Sequence, residues 1–262
     1  MPKKHLWLLL LLTVTSVAFA DDWHKEYAIQ DKPDLRVETG DAHVRVVPWD
    51  KKSIDITVTT VNWKIGPGHL EIAESQTRDT VDFSARQRNA QWGVHWDLHQ
   101  RADVTIHTPR EGRFQLRTHD GKLEVSELKG ELDLRTGDGK LIASKLDGEL
   151  RAQTGDGGMN VSGRFDGLDA RSGDGRVEIE AFDGSKMGHE WTLRAGDGSI
   201  RLRLPRDFSA MLEAHTGDGH IDLDVPITMR GRLGGNDIRG ALNNGTGLLS
   251  LRTGDGSIRI TN

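Results

Sequence analysis

Hydrophobic and polar residues alternate along the central part of the chain, and the alternation recurs at a fixed interval. Apolar side chains stand two positions apart with Lys, Glu, Asp and Arg between them, which is typical of strands with one buried and one solvated face. No stretch beyond the first twenty residues keeps a helical period. The apolar pairs are Leu123 and Val125, Leu141 and Ala143, Met159 and Val161, Val177 and Ile179, Ile200 and Leu202, Ile221 and Leu223, and Ile258 and Ile260.

A Thr-Gly-Asp-Gly turn recurs in front of these pairs. Its aspartates at 120, 138, 156 and 174 are 18 residues apart, and a second turn, such as Leu146-Asp147-Gly148, lies between successive copies. Each 18-residue unit, called a coil here, therefore holds two short strands and two turns. Because Asp-Gly favours tight turns and Gly tolerates positive φ, the motif is predicted to be a turn that sets the coil length. Other copies are Thr39 to Ala42, Ala195 to Gly198, Thr216 to Gly219 and Thr253 to Gly256.

Two topologies fit this pattern, an up-and-down meander and a parallel solenoid. Only the solenoid explains why each position keeps its residue class from one copy to the next, since equivalent positions then stack at strand spacing. We therefore predict an all-β, single-domain parallel β-solenoid (β-helix) with coils of about 18 residues. The final strand, residues 257–260, is predicted to be an exposed edge, and residues 238–242 are predicted to belong to one degenerate coil.

The pattern also divides the chain into three parts. Residues 1–20 combine Lys3 and Lys4, an apolar run and a small-residue ending, which is the layout of a cleaved secretory signal peptide. Residues 21–110 are predicted to form irregular N-terminal β coils and a cap, with the alternating Trp-rich stretch at 92–98 covering the open end. Residues 111–262 form the regular repeats, continuous with the preceding part.

The composition of the chain argues against several classes of function. The net charge is −5, which argues against nucleic-acid binding, and no second long apolar stretch predicts a membrane span after signal cleavage. The chain has no cysteine, so an exported form would hold no disulfides. With 31 glycines and 5% aromatic residues, it suits a thin fold with many turns.

The repeats, the Val47-Pro48-Trp49-Asp50 segment and the ending at residues 238–260 together resemble the bacterial "putative adhesin" family of β-strand-repeat proteins, a family of unknown function. The resemblance covers most of the predicted mature chain. It implies a β-solenoid, a periplasmic or extracellular setting, and no catalytic residues to carry over.

Candidate chemistry centres on the arginines that precede the turn. A rank of these side chains beside the turn aspartates is interpreted either as a solvated ion-pair ladder or as a strip that binds anionic glycan or a partner's carboxylates, because Arg binds such groups bidentately. This rank is the candidate binding surface, and it is interrupted by Gln153 and His215. Its members are Arg117, Arg135, Arg171, Arg194 and Arg252.

Three other readings concern metals and catalysis. Calcium between stacked turn aspartates would resemble a β-roll, but the paired glycines of that motif are missing. His95, Asp97 and His99 share one strand face, where neighbouring pairs have metal-ligand spacing. A carbohydrate-active β-helix enzyme would need acids gathered in one groove, whereas these acids are spread along a ladder. We therefore predict an exported, non-enzymatic structural or binding module of the cell envelope, with no cofactor, and an envelope protein or glycan as partner.

Overall fold

The computed structural model describes residues 20–87, 100–188, 190–229 and 235–262, and these residues form 21 β-strands and no helix. The described part of the chain therefore contains no helix long and apolar enough to cross a membrane. The predicted signal peptide, but for Ala20, and the Trp-rich stretch at 92–98 lie outside the described residues. The strands are β1 (Ala20–Ala28), β2 (Asp34–Thr39), β3 (His43–Trp49), β4 (Ser53–Val61), β5 (Leu70–Thr77), β6 (Thr80–Gln87), β7 (Arg101–Pro109), β8 (Glu111–Thr118), β9 (Leu123–Ser126), β10 (Lys129–Thr136), β11 (Leu141–Thr154), β12 (Met159–Ser172), β13 (Val177–Ala181), β14 (Trp191–Ala195), β15 (Ile200–Arg203), β16 (Ala210–Thr216), β17 (Ile221–Asp224), β18 (Ile227–Met229), β19 (Asp237–Leu242), β20 (Leu248–Thr253) and β21 (Ile258–Thr261).

The strands form two rows that enclose one hydrophobic core. Row one runs β5–β6–β2–β8–β10–β11–β12–β14–β20–β16–β19–β18. Row two runs β1–β4–β7–β3–β9–β11–β12–β13–β15–β21–β17. The long strands β11 and β12 belong to both rows and join them into one sheet.

The 18-residue repeat sets the register of the parallel pairs. Leu132 of β10 pairs with Leu150 of β11 on one side and with Phe114 of β8 on the other. Each strand thus places its apolar residues over those of the strand before it. The all-β prediction is confirmed. The sheet is mixed, however, because β1, β4, β5, β18 and β19 pair antiparallel at the two ends.

The order of strands in space differs from their order in the chain at both ends. The first coil, β2 and β3, lies between β6–β7 and β8–β9. The last coil, β20 and β21, lies between β14–β15 and β16–β17. The prediction that residues 257–260 form an exposed edge is therefore wrong, since strands pair with β21 on both sides and Ile258 and Ile260 are fully buried.

Residues 238–242 also depart from their prediction. They lie in β19, which pairs antiparallel with β16 and with β18, so they form part of an end cap and not a degenerate parallel coil. The local sequence resembles a coil because the alternation of buried and exposed residues is the same in parallel and antiparallel strands. The direction of the chain is set by the reversal between β18 and β19.

The recurring turn is built by close stacking of backbone on backbone. A Cβ on the second glycine of the motif would meet the carbonyl oxygen of the turn below, at 2.0 Å for Gly139 on Gly121 and 2.1 Å for Gly157 on Gly139. The first glycine donates its N–H to the same turn below, as Gly155 does to Gly137 at 2.8 Å. None of these glycines has positive φ. The reason for Gly is therefore the close approach of the turns, and the predicted need for positive φ is wrong here.

The residue before each turn is threonine except at Ser172 and Ala195, and the threonines are buried and face inward. Thr253 donates its hydroxyl to the carbonyl oxygen of Gly198 at 2.7 Å, and Thr216 donates to Gly256 at 2.7 Å. Both carbonyls belong to the neighbouring turn, so the hydroxyls tie the stacked turns together.

Candidate binding surface

The five predicted arginines lie in one rank on the outer face of row one. In register, Arg117 pairs with Arg135, and Arg171 pairs with Arg194, which pairs with Arg252. Gln153 stands between Arg135 and Arg171. Because neighbouring strands are spaced about 4.8 Å apart, the rank is an evenly spaced line of polar side chains.

Two of these arginines are neutralised by acids on their own strands. Asp133 accepts hydrogen bonds from Nε and Nη2 of Arg135 at 2.7 and 2.8 Å. These bonds raise the pKa of Arg135 above its ordinary value. Asp169 accepts the same pair of bonds from Arg171 at 2.9 and 3.0 Å. Each acid stands two positions before its arginine, so the two side chains share one strand face.

The turn aspartates do not supply this compensation. Asp138, Asp156 and Asp174 are exposed, and among the described residues none of them forms an ion pair. The interpretation that turn aspartates neutralise the arginine rank is therefore wrong. Their mutual repulsion is moderated by water and salt at the surface.

Three arginines of the rank have no acid two positions before them. Arg117, Arg194 and Arg252 are preceded there by Gln115, Thr192 and Ser250, respectively, and all three arginines are exposed. Within the described ranges, none of the three forms an ion pair. Arg194 and Arg252 are register neighbours, so they present two adjacent uncompensated guanidinium groups.

His215 extends the rank beyond Arg252, which pairs with it in register. Its Nδ1 lies 2.8 Å from Oδ1 of Asp237 on β19. Arg171, Arg194, Arg252 and His215 are thus four consecutive basic side chains, with acids beside only the first and the last. The sequence reasoning treated His215 as an interruption and overlooked the two hydroxyl residues, Thr192 and Ser250. The residue type two positions before each arginine is the signal that separates paired from unpaired members.

A shallow groove on the same face lies beside the rank, towards the start of each strand. Among its charged lining residues, acids outnumber bases: Glu131, Asp133, Glu149, Asp169 and Glu190 are acidic, and Arg113 and Arg151 are basic. Arg113 and Glu131 form an ion pair at 2.8 Å. These carboxylates follow strand spacing across several strands, and they do not converge on one point.

The described residues contain no group of three or more His, Cys, Asp or Glu side chains placed to hold a metal ion. The calcium reading of the stacked turn aspartates therefore has no geometric support in these ranges. His95, Asp97 and His99 lie outside the described residues, so their predicted metal pairs stay a prediction.

A comparison with protein families gives a match over nearly the whole described chain. The model of the family described as Toastrack DUF4097 matches residues 30–261. No curated protein matches the chain.

The solved structures that match this chain share little sequence with it. A putative cell adhesion protein from Clostridium sporogenes is 14% identical with a TM-score of 0.42, over 93% of this chain and 99% of that one. A putative adhesin from Parabacteroides merdae is 12% identical with a TM-score of 0.45, over 92% and 96%. A putative lipid binding protein from Parabacteroides distasonis is 11% identical with a TM-score of 0.39, over 92% and 97%.

Proposed function

The chain belongs to the Toastrack DUF4097 family, and we propose that it is a non-catalytic binding module of the cell envelope. This membership confirms the family resemblance found in the sequence. The proposal includes the β-solenoid description of the parallel middle, with its antiparallel ends as caps. Export to the periplasm or cell exterior is proposed from the signal-peptide pattern of residues 1–20.

The observation that carries the proposal is the run of basic side chains from Arg171 to His215 across four neighbouring strands. A linear, solvent-exposed row suits a polymer that repeats its negative charges, because successive groups of the polymer meet successive strands. Guanidinium groups bind carboxylates with two parallel hydrogen bonds, which gives orientation as well as attraction. The residues two positions before Arg194 and Arg252 add little to this contact, because Ser250 is buried and the half-buried Thr192 donates its hydroxyl to Glu190 at 3.4 Å. The exposed guanidinium groups therefore supply the contacts to the ligand.

We propose that the ligand is an anionic envelope glycan that lies along this row. A partner protein with a run of carboxylates is the second possibility that the same chemistry allows. The sheet supports binding, because it fixes the spacing of the arginine backbones before the ligand arrives and only the side chains have to be ordered.

The test compares two double variants of the mature chain in binding to polygalacturonate, with neutral dextran as the reference polymer. Arg194→Gln with Arg252→Gln removes the uncompensated pair, and we expect its affinity to fall at least about tenfold. The matched control is Arg201→Gln with Arg203→Gln on row two, where both arginines are exposed and pair with Glu178 and Glu180. Equal losses in the two variants, or equal binding to dextran, would contradict the proposal. Binding to polyglutamate but not to polygalacturonate would replace the glycan with an acidic protein.

A further inference from the structure

The last strand of row two has an open side. β17 pairs with β21 through residues 221–224, and among the described residues no strand pairs with its other side. Row one continues past this level with β19 and β18, so the two rows end at different heights. The N–H and C=O groups on the outer side of β17 are a template to which an extended chain can add.

The core side of β17 is correspondingly less covered than the strands beneath it. Ile221 and Leu223 are half-buried, whereas Ile258 and Ile260, the residues that stack next to them, are fully buried. The following apolar residues, Val225 and Ile227, are also half-buried at the margin of the core. A further strand with apolar residues on its inner face would cover this row and remove it from water.

The outer face of β17 carries negative charge. Asp222 and Asp224 are both exposed; Asp222 lies 3.3 Å from His220 and stands opposite Arg259 of β21, whereas among the described residues Asp224 has no ion pair. Elsewhere on the outer face of row two, side chains of opposite charge form ion pairs between neighbouring strands. Arg201 pairs with Glu178 at 2.9 Å, and Arg203 pairs with Glu180 at 3.3 Å. A strand added beside β17 would place its own outer residues opposite these two aspartates, where basic residues are favoured and acidic ones are not.

A second copy of the chain is a poor fit to this edge. Antiparallel pairing of β17 with itself would bring Asp222 and Asp224 of the two copies together, and like charges opposite one another destabilise a sheet pair. Head-to-tail stacking would use β1, which among the described residues pairs with β4 only and whose outer face carries Asp22, His24 and Glu26. Both arrangements bring acidic side chains together, since the one basic residue of that face, His24, is already paired with Asp55.

We propose that β17 is a docking edge for an extended segment of another protein, in which basic residues alternate with apolar residues. The backbone of that segment completes the sheet, its apolar residues cover the half-buried row, and its basic residues face Asp222 and Asp224. This surface lies on row two and is separate from the arginine rank, so either can exist without the other.

The test uses a fluorescent ten-residue peptide that alternates valine and lysine, added to the mature chain. The comparison peptides alternate valine and glutamate, or carry the valines and lysines in two separate blocks. A fourth peptide keeps the alternating valine and lysine sequence but is N-methylated at alternate amides, so it cannot complete the ladder. We expect only the first peptide to bind and to protect the amides of residues 221 and 223 from hydrogen exchange.

Charge-reversal variants locate the site. Asp222→Lys with Asp224→Lys should lower affinity for the valine–lysine peptide at least about tenfold and create binding of the valine–glutamate peptide. The control, Asp183→Lys with Asp207→Lys, changes two exposed acids elsewhere and should alter affinity less than about twofold. Arg194→Gln with Arg252→Gln should leave peptide binding unchanged. No binding, equal binding of the block or N-methylated peptide, or an equal loss in the control variant would overturn the proposal.

Discussion

The two ends of the molecule close the same core in different ways. Beyond the first coil, row one continues with β6 and β5, and row two continues with β7, β4 and β1. Beyond the β16–β17 coil, row one continues with β19 and β18, whereas on row two no strand of the described residues follows β17. The N-terminal end is therefore covered on both rows, and the C-terminal end on one.

Side chains complete the closure at the N-terminal end. Tyr27 of β1 is buried, and its hydroxyl donates to Oε2 of Glu74 on β5 at 3.2 Å. Lys25 forms an ion pair with the same carboxylate, and the Gln76 amide donates to the carbonyl oxygen of Ala28 at 2.8 Å. These contacts join the outermost strands of the two rows. The two ends therefore differ in how the core is covered: strands and side-chain contacts cover it on both rows at the N-terminal end, whereas among the described residues it is covered on row one only at the C-terminal end.

The largest loss of stability is expected between the two ends, where the turns of the repeats stack directly on one another. Gly139→Ala would place a Cβ 2.0 Å from the backbone oxygen of Gly121, and backbone cannot move aside as a flexible side chain does. We expect a loss of more than about 3 kcal/mol in the free energy of unfolding, measured by urea denaturation. The control is Gly40→Ala in the first turn, where an added Cβ has no atom of the described residues within 4 Å.

Ala42 supports the same explanation of why the later turns require glycine. It occupies the stacking position of the second turn glycine, directly below Gly121. The first turn tolerates a Cβ that later turns do not. Equal losses for Gly40→Ala and Gly139→Ala would show that turn stacking is not what requires glycine.

The parallel middle of the fold was predictable because its evidence is local and repeated. Each coil shows the same alternation and the same turn, so Thr136 over Thr118 follows from the 18-residue spacing alone. The insertion of β20–β21 between earlier coils was not predictable. Nothing in residues 248–261 distinguishes an inner coil from a terminal one, since an inner strand and an edge strand bury the same face. The antiparallel direction of β19 was missed for the same reason.

The candidate site was predictable in its position but not in its charge balance. The register of the repeats placed all five arginines in one rank. Which of them are neutralised depends on the residue two positions earlier, Asp133 for Arg135 but Ser250 for Arg252. That information was present in the sequence, since Asp133 is two positions from Arg135 and the turn residue Asp138 is three, but the interpretation considered only the recurring turn aspartates.

A second prediction compares matched substitutions at the two ends. Ile56→Ala in β4 empties a fully buried position at the closed end, and we expect a loss of about 3 kcal/mol in the free energy of unfolding. Ile221→Ala in β17 removes the same atoms from a half-buried position, where less area was hidden from water, so we expect about 1 kcal/mol. Urea denaturation of both variants measures the difference. Similar losses would mean that the C-terminal end is as well covered in solution as the N-terminal end.

The smallest effect is a pH dependence confined to the closed end. Burial, reinforced by the neighbouring Glu74, raises the pKa of Tyr27 above its ordinary value. A raised pKa means that the unfolded chain ionises first, so this stability is complete at neutral pH and is lost as pH rises beyond about 10. Tyr27 is the chain's one tyrosine, so phenolate absorbance reports its titration directly. Tyr27→Phe should remove this part of the alkaline loss of stability.

Glu74 gives the opposite sign at the acid side. The hydrogen bond from Lys25 lowers the pKa of Glu74, so its stabilisation is present above about pH 4.3 and is lost as pH falls through the folded-state pKa. The pair is partly exposed, and we expect Glu74→Gln to change the free energy of unfolding at neutral pH by less than about 1 kcal/mol. Urea denaturation between pH 3 and pH 7 should show a shallower acid decline in Glu74→Gln than in the parent chain, and an unchanged decline would mean that this contact does not close the end.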